Sequence, residues 1–462
     1  MNRNSVVKGI KDRSFKELCA HVVEDMKRLD VPGVSIAVWH NDSVVSAGLG
    51  VTSVEHPLPV TADTLFQVGS ISKTFTGTML MQLAEAGKID LDTPVKTYLP
   101  KFKMADSNVT ANLTTRHLLT HTGGWMGDYF NDLGNNDNAL ELMVKSLRML
   151  PQISPLGTLW SYNNAGFNIA GRLIEVLTNQ TYEQAAQQML FNPLKLSKSF
   201  FYPNDAILTQ RFAVGHQKWP DGVRVANPWA IGRAANAVGG VVSTVNDLMR
   251  YAQFHSGNGN AIIERSSLLA MRTVQTSAGG RGDMGITWFI RQHGDVTSYG
   301  HGGATKGQKA TFRFIPDKQF GIAILTNSDD GGIIGDNAVS NALDIYLGLV
   351  STPVKTVPMN DASMAEYVGE YEYSLSRFTV VASGVGMLIH ETPKGGFPKP
   401  ESPAGPPVPT VRASFIGNDK FVVHDEPRKG EIGDFVRDAN GQIAYLRIGG
   451  RANPRVVTTV AQ

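Results

Sequence analysis

The chain contains a single cysteine, Cys19, among its 462 residues. One cysteine excludes both an internal disulfide and a metal cluster held by several thiolates. Cys19 lies within an amphipathic helical pattern whose apolar positions include Phe15, Leu18 and Val22. We therefore expect it to be a core residue.

Charge of either sign is scarce and nearly balanced. Lys and Arg total 43 and Asp and Glu total 41, which leaves a formal net charge of +2. No dense block of basic residues occurs, so neither a nucleic acid nor an anionic membrane is expected as a partner. With 42% hydrophobic residues the chain can bury a sizeable core, and its length allows two or three domains.

Long apolar runs are missing as well. No stretch approaches the roughly 20 apolar residues that span a membrane. The basic residues Arg3 and Lys8 near the N-terminus are not followed by an apolar segment of signal-peptide length. The default expectation is a cytoplasmic protein, or a periplasmic or secreted one if a leader has been trimmed from the sequence.

One serine precedes a lysine by three positions in a setting typical of a helix start. Ser70 follows a strand-like cluster, and Lys73 stands one helical turn further on. The apolar positions behind them recur at helical spacing and end before Gly87; they are Phe75, Met79, Leu83 and Ala86. We expect Ser70 at or just before a helix N-terminus, with Lys73 projecting on the same face.

Ser70 and Lys73 can form a nucleophile and its base. A serine hydroxyl reacts once a neighbouring base takes its proton, and a lysine can do this when burial or positive charge lowers its pKa. The spacing alone is weak evidence, because Ser5 and Lys8 share it in a polar segment. The alternative is an ordinary helix start with a solvated lysine, but the strand and helix around Ser70 favour catalysis.

Periodicity along the chain predicts one sheet built from two distant parts of the sequence. Strand patterns occur at Gly33–Trp39, Val44–Val51, Gly285–Arg291, Lys309–Ile315 and Phe320–Thr326. Helical patterns dominate the region between them. We therefore expect an α+β fold in which helices flank the sheet and a helical insertion occupies about residues 75–275.

The composition shifts after the segment Ser351–Pro358. Short alternating runs then suggest a small antiparallel β-barrel; they are Tyr367–Tyr373, Phe378–Val381, Gly386–His390, Val411–Ile416, Lys420–Val423 and Gln442–Ile448. A proline-dense stretch between His390 and Val411 predicts a long surface loop. The expected domains are 1–352 and 353–462.

Two further motifs follow the Ser-x-x-Lys pair. Tyr162 and Asn164 form Tyr-x-Asn before a helical pattern, and His301-Gly302-Gly303 comes shortly before a predicted strand. This order resembles the penicillin-recognising serine hydrolases, which comprise class C β-lactamases, DD-carboxypeptidases, D-aminopeptidases and related esterases. The segments 116–124 and 239–244 are also similar to family segments, so the resemblance covers about residues 15–350. It implies a β-lactamase-like antiparallel sheet, and the C-terminal region resembles the lipocalin-like domain of some members.

Both downstream motifs have a second copy in the chain. Tyr129 and Asn131 repeat Tyr-x-Asn, and His121 begins another His-x-Gly. We prefer Tyr162 because its flanking sequence resembles the family's, and His301 because a strand follows it. His121 stands at a predicted helix end, where the glycines that follow it can terminate the helix.

The resemblance implies acyl transfer through a covalent ester on Ser70. Lys73 and Tyr162 would share the removal and delivery of protons, with Tyr162 acting as a base only where cations such as Lys73 favour its phenolate. The backbone N–H groups of Ser70 and Ala304 would stabilise the oxyanion, and Asn164 would hold the acyl-side amide of the substrate.

The strand motif departs from the β-lactamase pattern. His301 stands where those enzymes usually carry lysine, and Gly302 stands where threonine follows. Lysine offers a permanent charge to a substrate carboxylate, whereas histidine is largely neutral at pH 7 and can hydrogen-bond Tyr162. Histidine here is similar to the peptidases and D-aminopeptidases of the group. The alternative is a structural histidine at the end of a strand, with its ring hydrogen-bonded to the backbone.

The expected function is therefore a serine hydrolase acting on peptide or amide bonds, including those of D-residues. An esterase of small acyl esters and a silent peptide-binding protein are the alternatives. No cofactor or metal is expected, because His117 and His121 lack the glutamate that a zinc-protease helix requires. The expected partner is a small-molecule or short-peptide substrate. The barrel could limit substrate length, mediate assembly into a homo-oligomer, or be a plain appendage.

Overall fold

A computed structural model describes residues 3–229, 231–257, 259, 262–350, 352–384 and 386–456. The last residues of the expected second domain, 457–462, lie outside the described residues. The helices are α1 (Arg3–Gly9), α2 (Arg13–Arg28), α3 (Ser72–Glu85), α4 (Val95–Tyr98), α5 (Ser107–Asn112), α6 (Thr115–Leu119), α7 (Ala139–Ser146), α8 (Asn164–Thr178), α9 (Tyr182–Ala186), α10 (Pro203–Thr209), α11 (Asn236–Gly239), α12 (Val245–Ser256), α13 (Arg265–Met271), α14 (Gly331–Leu347) and α15 (Asp361–Met364).

The strands fall into two large sheets and two small ones. They are β1 (Gly33–His40), β2 (Ser43–Gly50), β3 (Phe66–Gln67), β4 (His216–Trp219), β5 (Gly222–Val225), β6 (Val242–Ser243), β7 (Thr276–Ser277), β8 (Asp283–Met284), β9 (Phe289–His293), β10 (Val296–Thr305), β11 (Gln308–Ile315), β12 (Phe320–Thr326), β13 (Gly369–Glu372), β14 (Ser376–Ser383), β15 (Gly386–Pro393), β16 (Val411–Gly417), β17 (Lys420–Val423), β18 (Ile432–Arg437), β19 (Ile443–Ile448) and β20 (Arg451–Pro454).

The first large sheet joins the two distant parts of the chain, as the periodicity predicts. Its strand order is β2-β1-β12-β11-β10-β9-β8-β7, and the pairs are antiparallel. Ile36 pairs with Ile324 across the β1–β12 contact. Helices α2 and α14 cover one face and bury Cys19, while α12 and the helical region cover the other. This arrangement confirms the predicted α+β class and helical insertion.

Two details of the sheet differ from the sequence prediction. The predicted strand Gly285–Arg291 is interrupted, because residues 285–288 form a turn in which Gly285 N donates to Trp288 O. The strand β10, which carries His301, was not predicted. Three glycines weaken its strand signal, yet they allow close packing: a Cβ at Gly300 would lie 2.3 Å from the Phe312 carbonyl oxygen.

The helical region is organised around α3. Most of this helix is buried, and the Phe75 ring stacks on Tyr251 of α12 at a centroid distance of 4.1 Å. Thr76 Oγ1 donates to Ala237 O in α11 at 2.7 Å. Polar side chains within the core therefore fix α3 in register with its neighbours. No described helix has the length and apolarity that a transmembrane segment needs.

The C-terminal residues form the predicted barrel. Its eight antiparallel strands follow chain order from β13 to β20. The barrel closes where Tyr371 bridges Arg455 and Val456 N donates to Glu370 O at 2.8 Å. Strands β18 and β20 were not predicted. The proline-dense segment 394–410 contains neither helix nor strand, as expected of a loop.

The barrel interior is a separate apolar cluster with an aromatic centre. The rings there are Tyr367, Tyr371, Phe378, Phe415, Phe421 and Phe435. Phe435 contacts four of the other rings at centroid distances between 4.9 and 6.1 Å. The barrel is therefore a filled core and not a wide ligand cavity.

Phe435→Ala should destabilise the protein by about 3–5 kcal/mol, because it empties the centre of this cluster. The matched control is Val381→Ala on β14, where the side chain is 41% exposed and we expect a loss below about 1 kcal/mol. Urea titration of both variants measures the difference. Equal midpoints would show that these rings do not form the barrel's stabilising core.

Candidate active site

Ser70 occupies a single 3₁₀ turn, Gly69–Ile71, immediately before α3. Ser72 holds this turn in place, because its Oγ donates to Gly69 O at 2.7 Å and accepts from Val241 N at 3.0 Å. Gly69 has φ of 54°, and a Cβ there would lie 2.5 Å from Ala304 N. The turn therefore passes directly against β10, where only glycine fits.

Lys73 is fully buried and reaches Ser70. Its Nζ donates to Ser70 Oγ at 3.0 Å and to Val238 O at 2.8 Å. Burial holds the pKa of Lys73 well below its usual range, and the positive charge of Arg451 lowers it further, while Asp128 opposes both effects. A neutral amine beside the hydroxyl can accept its proton, which is the requirement set by the sequence analysis.

Tyr162 lies beside both Lys73 and Ser70. The Lys73 Nζ is 5.1 Å from the Tyr162 ring centroid, and Tyr162 Oη is buried without a hydrogen-bond partner among the described residues. Burial raises the pKa of Tyr162, and the neighbouring Ser70 hydroxyl and Arg451 offset only part of that rise. Burial therefore disfavours the phenolate of Tyr162, the form expected only where nearby cations favour it, and a protonated phenol can deliver a proton.

His301 is held as a neutral imidazole. Its Nδ1 donates to Gly302 O at 2.5 Å, which leaves Nε2 as the unprotonated nitrogen. Burial lowers the pKa of His301 to about 3, with Lys73 adding to the effect. Its ring centroid is 5.9 Å from that of Tyr162, and Nε2 is buried without a partner in the described structure. The expected hydrogen bond from His301 to Tyr162 is thus not made.

The glycines after His301 have different surroundings. A Cβ at Gly303 would lie 1.9 Å from Val68 O, whereas a Cβ at Gly302 would meet only Ala310 O at 3.7 Å. Gly302 and Ala304 are exposed along the strand. Gly303 is therefore required for packing. At Gly302, where threonine is expected from the resemblance, no close contact requires a glycine. The backbone of Ala304 lies beside the Ser70 turn, as a second oxyanion donor must.

Asn164 is oriented by a partner that the sequence did not indicate. It begins α8, where Asn163 Oδ1 caps the helix by accepting from Gly166 N at 2.8 Å. Asn164 Nδ2 donates to Asp128 Oδ1 at 2.5 Å. Asp128 in turn accepts from Arg451 Nε at 2.9 Å. The amide group of Asn164 is therefore fixed by a buried ion pair.

The second copies of the two motifs have their own surroundings in the structure. His121 has φ of 58°, stacks on Tyr162 at a centroid distance of 4.3 Å, and accepts from Asn163 N through Nδ1 at 2.9 Å. It therefore supports Tyr162 from behind. In the other Tyr-x-Asn copy, Asn131 Nδ2 donates to Tyr129 Oη at 3.4 Å.

The candidate metal pair does not share a helix face, because α6 ends at Leu119 and His121 lies beyond it. His117 Nδ1 instead accepts from Thr114 N at 3.2 Å and completes a capping box. The described residues hold no cluster of three or more side chains able to bind a metal.

Sequence patterns did not identify four residues that lie at the site: His121, Asp128, Arg281 and Arg451. Arg281 lies over the Phe289 ring at 5.8 Å, and Phe289 packs against His301. Arg451 comes from the barrel and lies 4.8 Å from the Tyr162 ring centroid. No local pattern marks Arg451, because its role depends on the docking of the barrel.

Tyr162→Phe should lower turnover by about 10²–10⁴-fold, since it removes the proton donor at the site. Tyr129→Phe is the matched control, with the same atom deleted in the second Tyr-x-Asn motif, and it should retain nearly full activity. Steady-state kinetics on both variants give the comparison. The reverse result would transfer the role to Tyr129.

The acid limb of the pH profile should report Lys73 and not His301. Lys73 is a base only when neutral, so kcat/KM should rise with pH through the pKa of Lys73, whereas His301, with its pKa near 3, stays neutral over the assay range. His301→Gln should therefore lower activity without moving this limb. A limb displaced by about one pH unit or more would identify His301 as the titrating group.

The chain is similar to several known proteins. Penicillin-binding protein 4 of Amycolatopsis lactamdurans is 34% identical over 315 residues, which cover 66% of this chain and 82% of that protein. Among solved structures, SurE aligns over 96% of this chain and 99% of its own with a TM-score of 0.74 at 24% identity, and it has also been solved with D-Leu.

A further solved structure matches a smaller share of the chain. The D-amino acid amidase of Ochrobactrum anthropi SV3, complexed with L-phenylalanine amide, has a TM-score of 0.60 at 21% identity, covering 70% of this chain and 96% of its own. The Beta-lactamase family model matches residues 18–342, the part that carries Ser70, Lys73, Tyr162 and His301. The chain therefore belongs to the Beta-lactamase family.

Proposed function

We propose that this protein is a serine hydrolase that cleaves amide bonds of peptides or amino acid amides, including those of D-residues, through an acyl-enzyme on Ser70. The observation that carries the proposal is the 3.0 Å contact between Ser70 Oγ and a buried Lys73 amine. A solvated, protonated lysine could not take the proton of the serine, so the burial is what favours catalysis over an ordinary helix start.

The reaction begins with attack of Ser70 Oγ on the substrate carbonyl carbon, while Lys73 takes the hydroxyl proton. The backbone N–H groups of Ser70 and Ala304 donate to the developing oxyanion. Collapse of the tetrahedral intermediate breaks the C–N bond, and Tyr162 donates its proton to the departing amine. Lys73 can then return the proton to Tyr162, which leaves the ester and a free amine product.

Deacylation uses the same groups with water as the nucleophile. Water attacks the ester carbonyl and gives a proton to the neutral Lys73, and the intermediate collapses to the carboxylic acid as Ser70 Oγ regains a proton. Asn164, oriented by Asp128 at 2.5 Å, supplies a fixed amide for the acyl-side backbone of the substrate. No step requires a cation at position 301.

The neutral state of His301 supports an amidase or peptidase ahead of a β-lactamase. Gly302 leaves room for a larger side chain but offers no hydroxyl, so the strand lacks both groups with which β-lactamases bind a substrate carboxylate. The inclusion of D-residues is drawn from the D-amino acid amidase and from SurE, which was solved with D-Leu.

Ser70→Ala should abolish hydrolysis by at least about 10⁴-fold while leaving the fold intact, because only the nucleophilic oxygen is removed. The assay panel is D-phenylalanine amide, L-phenylalanine amide, a p-nitrophenyl ester and a penicillin. Circular dichroism of the variant provides the folding control. Activity that survives in Ser70→Ala would exclude Ser70 as the nucleophile.

The panel also separates the alternative functions. Cleavage of the D-amide supports the proposal, whereas turnover of the ester alone would indicate an esterase. Intact-protein mass after treatment with a fluorophosphonate, followed by peptide mapping, locates the reactive serine. No label and no turnover would indicate a silent binding protein.

A further inference from the structure

The turn between β19 and β20 of the barrel contacts the segment that carries Tyr162. Gly450 O accepts from Tyr162 N at 2.9 Å, and Ala452 N donates to Ser161 Oγ at 3.1 Å. Gly450 has φ of 78°, and a Cβ there would lie 2.9 Å from Arg281 Nε and 3.2 Å from the Trp160 ring. The barrel therefore packs directly against the backbone segment that carries Tyr162.

Arg451, the next residue, contacts two groups of the site and reaches a third through one of them. Its Nε and Nη2 donate to the two carboxylate oxygens of Asp128 at 2.9 and 3.3 Å. Its guanidinium carbon lies 4.8 Å from the centroid of the Tyr162 ring. Through Asp128 it also holds Asn164, whose Nδ2 donates to the same carboxylate. One barrel side chain thus links the proton donor to the substrate-binding amide.

The Asp128 carboxylate creates an electrostatic problem that Arg451 solves. The Asp128 side chain is 2% exposed and the Lys73 side chain is fully buried, so their charges are poorly screened. A carboxylate without its partner would favour protonated Lys73, which cannot act as a base. Arg451 cancels this effect by pairing with Asp128 and by repelling a proton from Lys73.

The other groups around Lys73 do not replace Arg451. Tyr162, His121 and His301 are buried and neutral, because desolvation opposes the charged form of each. The positive charge of Arg281 contributes a lowering of the pKa of Tyr162 and of His301, but Arg281 does not pair with Asp128. Among the described residues, Arg451 is the cation that forms a salt bridge with Asp128.

We propose that Arg451 is a positioning residue through which the C-terminal barrel completes the active site, by neutralising Asp128 and holding Asn164 and Tyr162 in place. The barrel is then a working part of the hydrolase and not an appendage. The inference rests on the proposed function, because it assigns Arg451 a role in the reaction of Ser70.

The test compares wild type with Arg451→Met, Arg451→Lys and the double variant Asp128→Asn/Arg451→Met. The readout is the pH dependence of Ser70 labelling by a fluorophosphonate and of kcat and KM on the best substrate of the panel. Labelling measures nucleophile activation without depending on substrate choice. Peptide mapping confirms that each label is on Ser70.

Arg451→Met should move the acid limb of labelling to higher pH by about one unit, which is a tenfold loss at pH values below the limb. Arg451→Lys keeps the cation and should move the limb less. The double variant removes both charges and should return the limb towards wild type, while the side-chain oxygen that Asp128→Asn retains can still accept from Asn164 Nδ2. This pattern is specific to an electrostatic role.

Arg447→Met is the matched control. Arg447 is also a poorly exposed arginine at this end of the barrel, paired with Asp434, and its Nη1 donates to Trp160 O at 3.1 Å. Its loss removes an interdomain contact without touching the charges around Lys73. We expect lower thermal stability and an unchanged acid limb.

Two results would overturn the inference. In one, Arg451→Met and Arg447→Met behave alike, with lower stability and unmoved limbs, so that Arg451 is a plain interdomain contact. In the other, the double variant is no better than Arg451→Met. If Ser70 of the wild type takes no label and no substrate turns over, both the proposed function and this inference fail.

Discussion

The arrangement of the site depends on the burial of the Lys73 amine against Ser70. An amine in this environment loses its proton more easily than in water, and only the neutral form can take the serine proton. Burial is the largest cause of that shift, and the positive charge of Arg451 adds to it. The amine is enclosed by the Tyr162 and Phe167 rings, 5.1 and 5.5 Å from Nζ, and by Val238, whose carbonyl oxygen lies 2.8 Å away. Residues of α8 and α11 therefore take part in enclosing this one side chain.

Close backbone contact is the second requirement. The Ser70 turn and β10 approach each other so tightly that Gly69 and Gly303 have no room for a side chain. This contact brings the backbone of Ala304 beside the nucleophile. The same strand carries His301, which burial keeps neutral, so the site presents hydrogen-bonding groups where a lysine would present a charge.

The ion pair between Asp128 and Arg451 connects this chemistry to the second domain. A buried carboxylate near a base that must stay neutral is tolerable only with a partner, and the partner comes from the barrel. The backbone hydrogen bond from Tyr162 N to Gly450 O joins the barrel to the same part of the site. Fold and electrostatics therefore favour a single functional unit.

Local sequence determined the elements whose signals are periodic or contiguous. The Ser70 turn before an apolar helix, the sheet built from distant strands and the barrel could be predicted, because burial on one face imposes a repeat of 3.6 or 2 residues. The glycine-rich strand β10 was not predicted, since glycine gives little strand signal. Its close packing is possible because its glycines have no side chains. Only the tertiary structure decided which tyrosine and histidine lie at Ser70, that burial lowers the pKa of Lys73, and that Arg451 meets Asp128 across 323 residues. Desolvation and ion pairing depend on what surrounds a group in space, and no local pattern encodes those surroundings.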